Sequence, residues 1–186
     1  MRPFAASIAV LRQRLSRCAR DERGVSAVEF ALLLPVMVLL YLGGVEISQG
    51  LTVDRKVTLV ARTVADLAAQ VASITNSDMT NILSASTSVL SPFPTTNVKV
   101  TVSQVTIDAN GKATIAWSDS KNGTARTVGS VITLPAALNI ASSSLIWGEV
   151  SYSYKPVIGY VITGTMTLTD QIYMRPRLSD SVTRTS

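Results

Sequence analysis

Arg23-Gly24-Val25-Ser26-Ala27-Val28-Glu29-Phe30-Ala31-Leu32-Leu33-Leu34-Pro35-Val36-Met37-Val38-Leu39-Leu40-Tyr41-Leu42-Gly43-Gly44 decides how this chain is built. From Val25 to Gly44 it is almost wholly apolar, about 20 residues or about 30 Å as a helix, which matches a bilayer core. No small-x-small cleavage pattern follows; the sequence continues Val45-Glu46-Ile47-Ser48-Gln49. The segment is therefore expected to stay attached to what comes after it. Two residues interrupt the run. Pro35 removes a backbone hydrogen bond and favours a kink, which membrane helices tolerate. Glu29 places a carboxylate in the run, at a cost of roughly 2.5–3.5 kcal/mol if it lies deep in lipid. Either it sits shallow, near the headgroups, or it awaits a positive charge from another chain.

The charge pattern gives the run an orientation. The net charge is +5, and residues 1–24 hold +4 of it: Arg2, Arg12, Arg14, Arg17, Arg20 and Arg23 against Asp21 and Glu22. A basic arm can bind nucleic acid. Beside a long apolar run it is more simply a topology signal that keeps the N-terminus cytoplasmic, and no nucleic-acid partner is expected. The chain has no histidine and one cysteine, Cys18, in the arm. An intramolecular disulfide and the usual Cys/His zinc sites are thus excluded. A lone cysteine near a membrane can be lipidated; Cys18 is read as an ordinary small residue.

A cut after Gly24 would make Val25 a new N-terminus, and Glu29 the fifth residue of the mature chain. The new ammonium group is a natural counter-charge for Glu29 in a low dielectric, within one chain or between neighbours. Gly24, four residues, then Glu29-Phe30 and an apolar helix resembles a type IV prepilin cleavage site. The long basic leader ending in Arg23-Gly24, with the run from Val28 to Pro35, is similar to TadE-like pseudopilins of the Tad, or Flp, tight-adherence pilus system. The resemblance implies that Gly24 is recognised by a prepilin peptidase, that Val25 carries the mature amine, and that Glu29 and Phe30 serve processing or assembly. It implies as partners the peptidase, other pseudopilins and the pilin of the Tad system, an inner-membrane assembly platform, and the bilayer. The implied function is that of a minor pseudopilin at the tip or base, at the inner membrane, with the C-terminal domain periplasmic. The alternative is a permanently anchored envelope protein whose outer domain binds a ligand or a protein.

Beyond the run, Leu51, Val53, Val57, Val60, Val64, Leu67, Val71 and Ile74 recur at helical spacing. They predict an amphipathic helix over residues 45–76 that faces its own domain. Arg62 and Asp66 are spaced to pair on it. A second short helix is expected from Ser77 or Asp78 to Leu90, ended by Ser91-Pro92-Phe93-Pro94. Val98, Val100 and Val102 alternate as in a strand, and the parity change to Val105 and Ile107 suggests a bulge near Ser103–Gln104. Asp108-Ala109-Asn110-Gly111 signals a hairpin, with Ala113, Ile115 and Trp117 on the returning strand. A short helix is expected over Leu134–Ile140. Two more strands are expected, Leu145 to Lys155 and Val161 to Met174.

The predicted fold is α+β: a long N-terminal transmembrane and amphipathic helix packed on a mainly antiparallel four-stranded sheet, pilin-like in plan. The expected division is leader 1–24, membrane helix 25–44, amphipathic helix 45–76, periplasmic domain 77–178, and a frayed tail 179–186. No catalytic constellation, cofactor or metal is expected. Ser120-Lys121 is mere adjacency, and Asp108 and Asp119 are read as turn caps, because a calcium site wants several more oxygens. Trp117 is assigned to the core, and Trp147 is left open between core and contact surface.

Overall fold

The computed structural model describes residues 22–156, 159 and 163–185. Most of the basic leader, Cys18, and the Val161 and Ile162 of the last expected strand lie outside the described residues. The chain divides into two units, residues 1–45 and 46–186. A helix, α1, runs Glu22–Ala69 through the boundary, with Pro35 inside it.

In the first unit α1 holds the membrane-length window, whose mean hydropathy is 2.3 and none of which is buried. In the second unit one side of α1 is fully buried: Val53, Val57, Val60, Ala61, Val64, Ala65, Ala68 and Ala69. The predicted stripe is right at Val53, Val57, Val60 and Val64. Leu51, however, is exposed, and the alanines complete the buried face instead. They are there because the sheet comes very close. A Cβ added to Gly148 would lie 2.8 Å from the Ala61 carbonyl oxygen and 3.1 Å from the Ala65 Cβ. Small residues on both sides let the helix backbone and a strand meet.

Helix α1 stops at Ala69, short of the expected Asn76. Ser73–Ile74 form a short strand, β1, parallel to β7 at Thr183–Arg184. The Arg177 N–H takes the Ala69 carbonyl at 2.9 Å, satisfying a helix-end acceptor. The residues read as a frayed tail are thus part of the fold. Val182 is buried, and Arg184 pairs with Asp119 at 3.0 Å. The helical spacing of Val71 and Ile74 was real but lost to this long-range pairing. Asp66 also finds partners other than Arg62: Arg177 and the Gln70 amide.

The second helix, α2, spans Asn76–Ser88, one residue earlier than the earliest expected start. Its cap is Thr75, not Ser77 or Asp78. The Asp78 N–H donates to Thr75 Oγ1 at 3.2 Å and the Thr75 N–H donates to Asp78 Oδ2 at 3.1 Å, a reciprocal capping box.

The main sheet has five strands rather than four, in the order β4-β3-β2-β5-β6, all neighbours antiparallel. These are β2 Val98–Ile107, β3 Ala113–Lys121, β4 Val131–Ile132, β5 Ser143–Tyr154 and β6 Met166–Met174. The extra strand, β4, has only two residues, too short for a periodic signal. The expected helix at Leu134–Ile140 is a turn, with the Leu138 N–H donating to the Pro135 carbonyl. The Asp108–Gly111 hairpin is as read, Gly111 taking φ +80°.

The parity change in β2 has a different origin from the one expected. Its register with β5 is unbroken from Val98↔Tyr152 to Ile107↔Ser143. The irregularity lies between Gln104 and Val105 in the pairing with β3, where Gln104 faces Trp117 and Val105 faces Ile115, leaving Ala116 as the extra residue. The sheet buries both faces in different places. Val98, Val100, Val102, Trp117, Ile146, Val150, Tyr152 and Tyr154 join the helix core. Val105, Ile107, Ala113, Ile115, Leu134, Leu145 and Trp147 form a second core on the opposite side. Ala113, Ile115 and Trp117 were therefore not one face. Trp117 is core, its Nε1–H donating to Gln104 Oε1 and to the Val182 carbonyl. Trp147 is also buried, stacked on Tyr173 at 5.3 Å.

Candidate functional site

The residues singled out for processing and assembly, Gly24, Val25, Glu29 and Phe30, all lie on α1 at the start of the candidate membrane span Gly24–Ala69. All four are exposed, Val25 at 57% and Phe30 at 60%. Val25 and Glu29 are four positions apart on a helix, so both project from one side, one turn apart, about 6 Å along the axis. Phe30 follows around the turn.

Gly24 lies on α1 two positions after Glu22, the first described residue of the helix. A Cβ placed there meets nothing within 4 Å, and its φ is not in the left-handed range. Neither packing nor backbone conformation within the chain demands glycine here. Glycine lowers helix stability by about 1 kcal/mol relative to alanine.

A second acid of α1 escaped the sequence reading. Glu46, the first residue of the second unit, is 1% exposed. It lies close enough to Tyr154 that its charge adds to burial in raising that phenol's pKa. A polar residue directly after an apolar run reads as the end of burial, and only the packed domain shows otherwise. The other polar candidates serve structure. Asp108 Oδ1 accepts the N–H groups of Asn110 and Lys112 across its turn. Asp119 pairs with Arg184. Lys121 Nζ reaches Ser84 and Thr87, while Ser120 Oγ donates to the Val100 carbonyl, so the two do not work as a pair.

Among the described residues one helix is long and apolar enough to cross a membrane, and it continues into an α+β domain. Residues 24–66 match the family model described as TadE-like protein. The resemblance to TadE-like proteins of the Tad system is supported on that segment, which holds the helix long and apolar enough to cross a membrane. The match begins at Gly24 and ends at Asp66, so it covers the helix and none of the sheet. No curated protein matches the chain. No solved structure matches it.

Proposed function

We propose that this chain is a minor pseudopilin of a Tad pilus, cut after Gly24 by a prepilin peptidase and built into the initiating, tip or base complex of the fibre. The observation behind this reading is Glu29, an exposed acid in a lipid-facing window, five positions past a glycine that packing does not explain. Two magnitudes make the arrangement coherent. Inserting the carboxylate costs roughly 2.5–3.5 kcal/mol. An ammonium group about 6 Å away, at an effective dielectric near 20, returns about 3 kcal/mol. The uncut chain has no such group on Val25; the cut chain has one. If neighbouring helices supply the amine to each other, the offset between amine and acid sets a stagger between them.

The test is a pair of variants, Glu29→Gln and Glu29→Ala, expressed in the piliated cell. Both are expected to insert in the membrane while pilus number falls sharply, read by electron microscopy and by sheared-pilin yield. Normal piliation in both would remove Glu29 from assembly.

A further inference from the structure

The outer face of the main sheet, away from α1, carries a cleft of about 820 Å³. Its floor follows from register. Thr101, Glu149 and Gln171 stand opposite one another across β2, β5 and β6, and Lys99, Ser151 and Thr169 form the next row. Rows on one face repeat about every 7 Å along the strands, and strands about every 4.8 Å across them, so the floor is a grid of polar side chains, three of them short hydroxyls. One wall is the loop holding Gly123, Thr124 and Arg126.

The wall is fastened at three points. Asn122 donates to the carbonyls of Thr95 and Val98 at 3.2 and 3.0 Å. The Arg126 N–H donates to Ser118 Oγ at 2.9 Å. The Arg126 guanidinium reaches Glu149 on β5 through two bonds of 2.6 and 2.7 Å. It also lies 3.9 Å from the Trp147 ring centre, whose other neighbour is Tyr173. The hydrogen bond from Glu149 raises the pKa of Arg126 further, so the guanidinium stays charged. The cleft is therefore formed before any ligand arrives, which removes an ordering cost from binding.

Its chemistry narrows the occupant. The charges cancel, Lys99 and Arg126 against Glu149 and Asp170, and one pair is already closed within the protein. A net-neutral lining gives no purchase to nucleic acid or another polyanion. Val150 is its one aliphatic residue of any size, so a lipid chain or the apolar face of a helix finds nothing to bury against. Among the described residues, the side chains of Lys99, Thr124, Ser151 and Thr169 make no hydrogen bond, although they face the cleft. Hydroxyls and an amine with free hydrogen-bonding capacity, spread over a preformed grid, match a ligand that presents many hydroxyl groups and no net charge.

We infer that the cleft between the 122–126 loop and strands β2, β5 and β6 is a binding site for a neutral glycan strand. The site lies in the domain that the TadE-like match does not reach, and it stands whether or not Gly24 is a processing site.

The test titrates full-length protein in detergent micelles with chitotetraose and cellotetraose, following backbone amides by NMR. Both the natural chain and a Ser151→Ala/Thr169→Val double variant are titrated. The sugars are expected to shift the amides of Thr101, Thr124, Ser151, Thr169 and Gln171. The double variant, its sheet spectrum otherwise unchanged, is expected to bind about fivefold to tenfold more weakly, from two lost hydrogen bonds. A heparin oligosaccharide and a neutral unstructured peptide serve as competing classes. Cleft amides that ignore both neutral sugars, that respond only to heparin or peptide, or that respond equally in the double variant would each overturn the assignment.

Discussion

The two parts of α1 share a secondary structure and little else. Before residue 46 the side chains are large, apolar and exposed: Leu32, Leu33, Leu40 and Tyr41 among them. From residue 53 on, the inward face is valine and alanine, wholly buried. The first part has the length and hydropathy of a membrane span, and none of that window is buried within the described chain. The second relies on a β-sheet of its own chain. An acid of each part shows the same contrast: Glu29 is exposed and Glu46 is buried. A hydrophobic helix is thus not one kind of object. What covers it decides whether a substitution is felt by the fold or by whatever the helix meets outside it.

The sharpest way to break that contrast is at the closest approach. Gly148→Val puts a branched side chain where even a Cβ is 2.8 Å from the Ala61 carbonyl. It is expected to destabilise the second unit by about 3 kcal/mol, read by urea denaturation. Gly24→Ala, which meets nothing within 4 Å, is expected to leave the same transition in place. Next in size is a matched pair of truncations on α1. Val60→Ala, at a fully buried position, should cost about 2 kcal/mol, while Leu33→Ala, at 59% exposure, should change the denaturation midpoint little.

A smaller effect is expected from the C-terminal segment. Arg184 donates to both oxygens of Asp119 at 3.0 and 3.3 Å, to the Ile74 carbonyl at 3.2 Å and to Asn76 at 2.6 Å. Arg184→Ala is expected to cost about 1.5 kcal/mol and to speed amide exchange in residues 73–75, which it ties to β7. An unchanged exchange pattern would restore the frayed tail.

The smallest effect is at the cap of α2. Thr75 hydrogen bonds, from its hydroxyl first and its N–H second, lower the pKa of Asp78. A lowered folded-state pKa means the contribution is present at neutral pH and lost as pH falls through that value. The gap in melting temperature between the natural chain and Asp78→Asn is expected to be small at pH 7 and to close in strong acid.

Much of this was legible from spacing. The apolar run, the valine stripe of α1, the strands and the Asp108–Gly111 turn are all local patterns, set by residues near each other in sequence. What was not legible came from distance. Nothing near Ser73 says that Thr183 will pair with it, and that pairing ended α1 early and removed the frayed tail. Nothing local separates Ile115 from Trp117, because the fault between them is in the pairing with β2. The membrane-side residues Gly24, Val25, Glu29 and Phe30 could be named because their motif is contiguous. The outer-face cleft could not, since Arg126 and Glu149 meet across 23 positions. Its one available signal was the polar alternation of Glu149, Ser151 and Ser153, which marked a face without saying what stands over it.

N-terminal sequencing of the chain recovered from membranes of cells with an active prepilin peptidase addresses the processing of α1 most directly. The account predicts a start at Val25, reading Val-Ser-Ala-Val-Glu, with the uncut chain accumulating when the peptidase is removed. A mature chain that still begins upstream of Val25 in those membranes would contradict it, because Glu29 would then have no ammonium group one turn away.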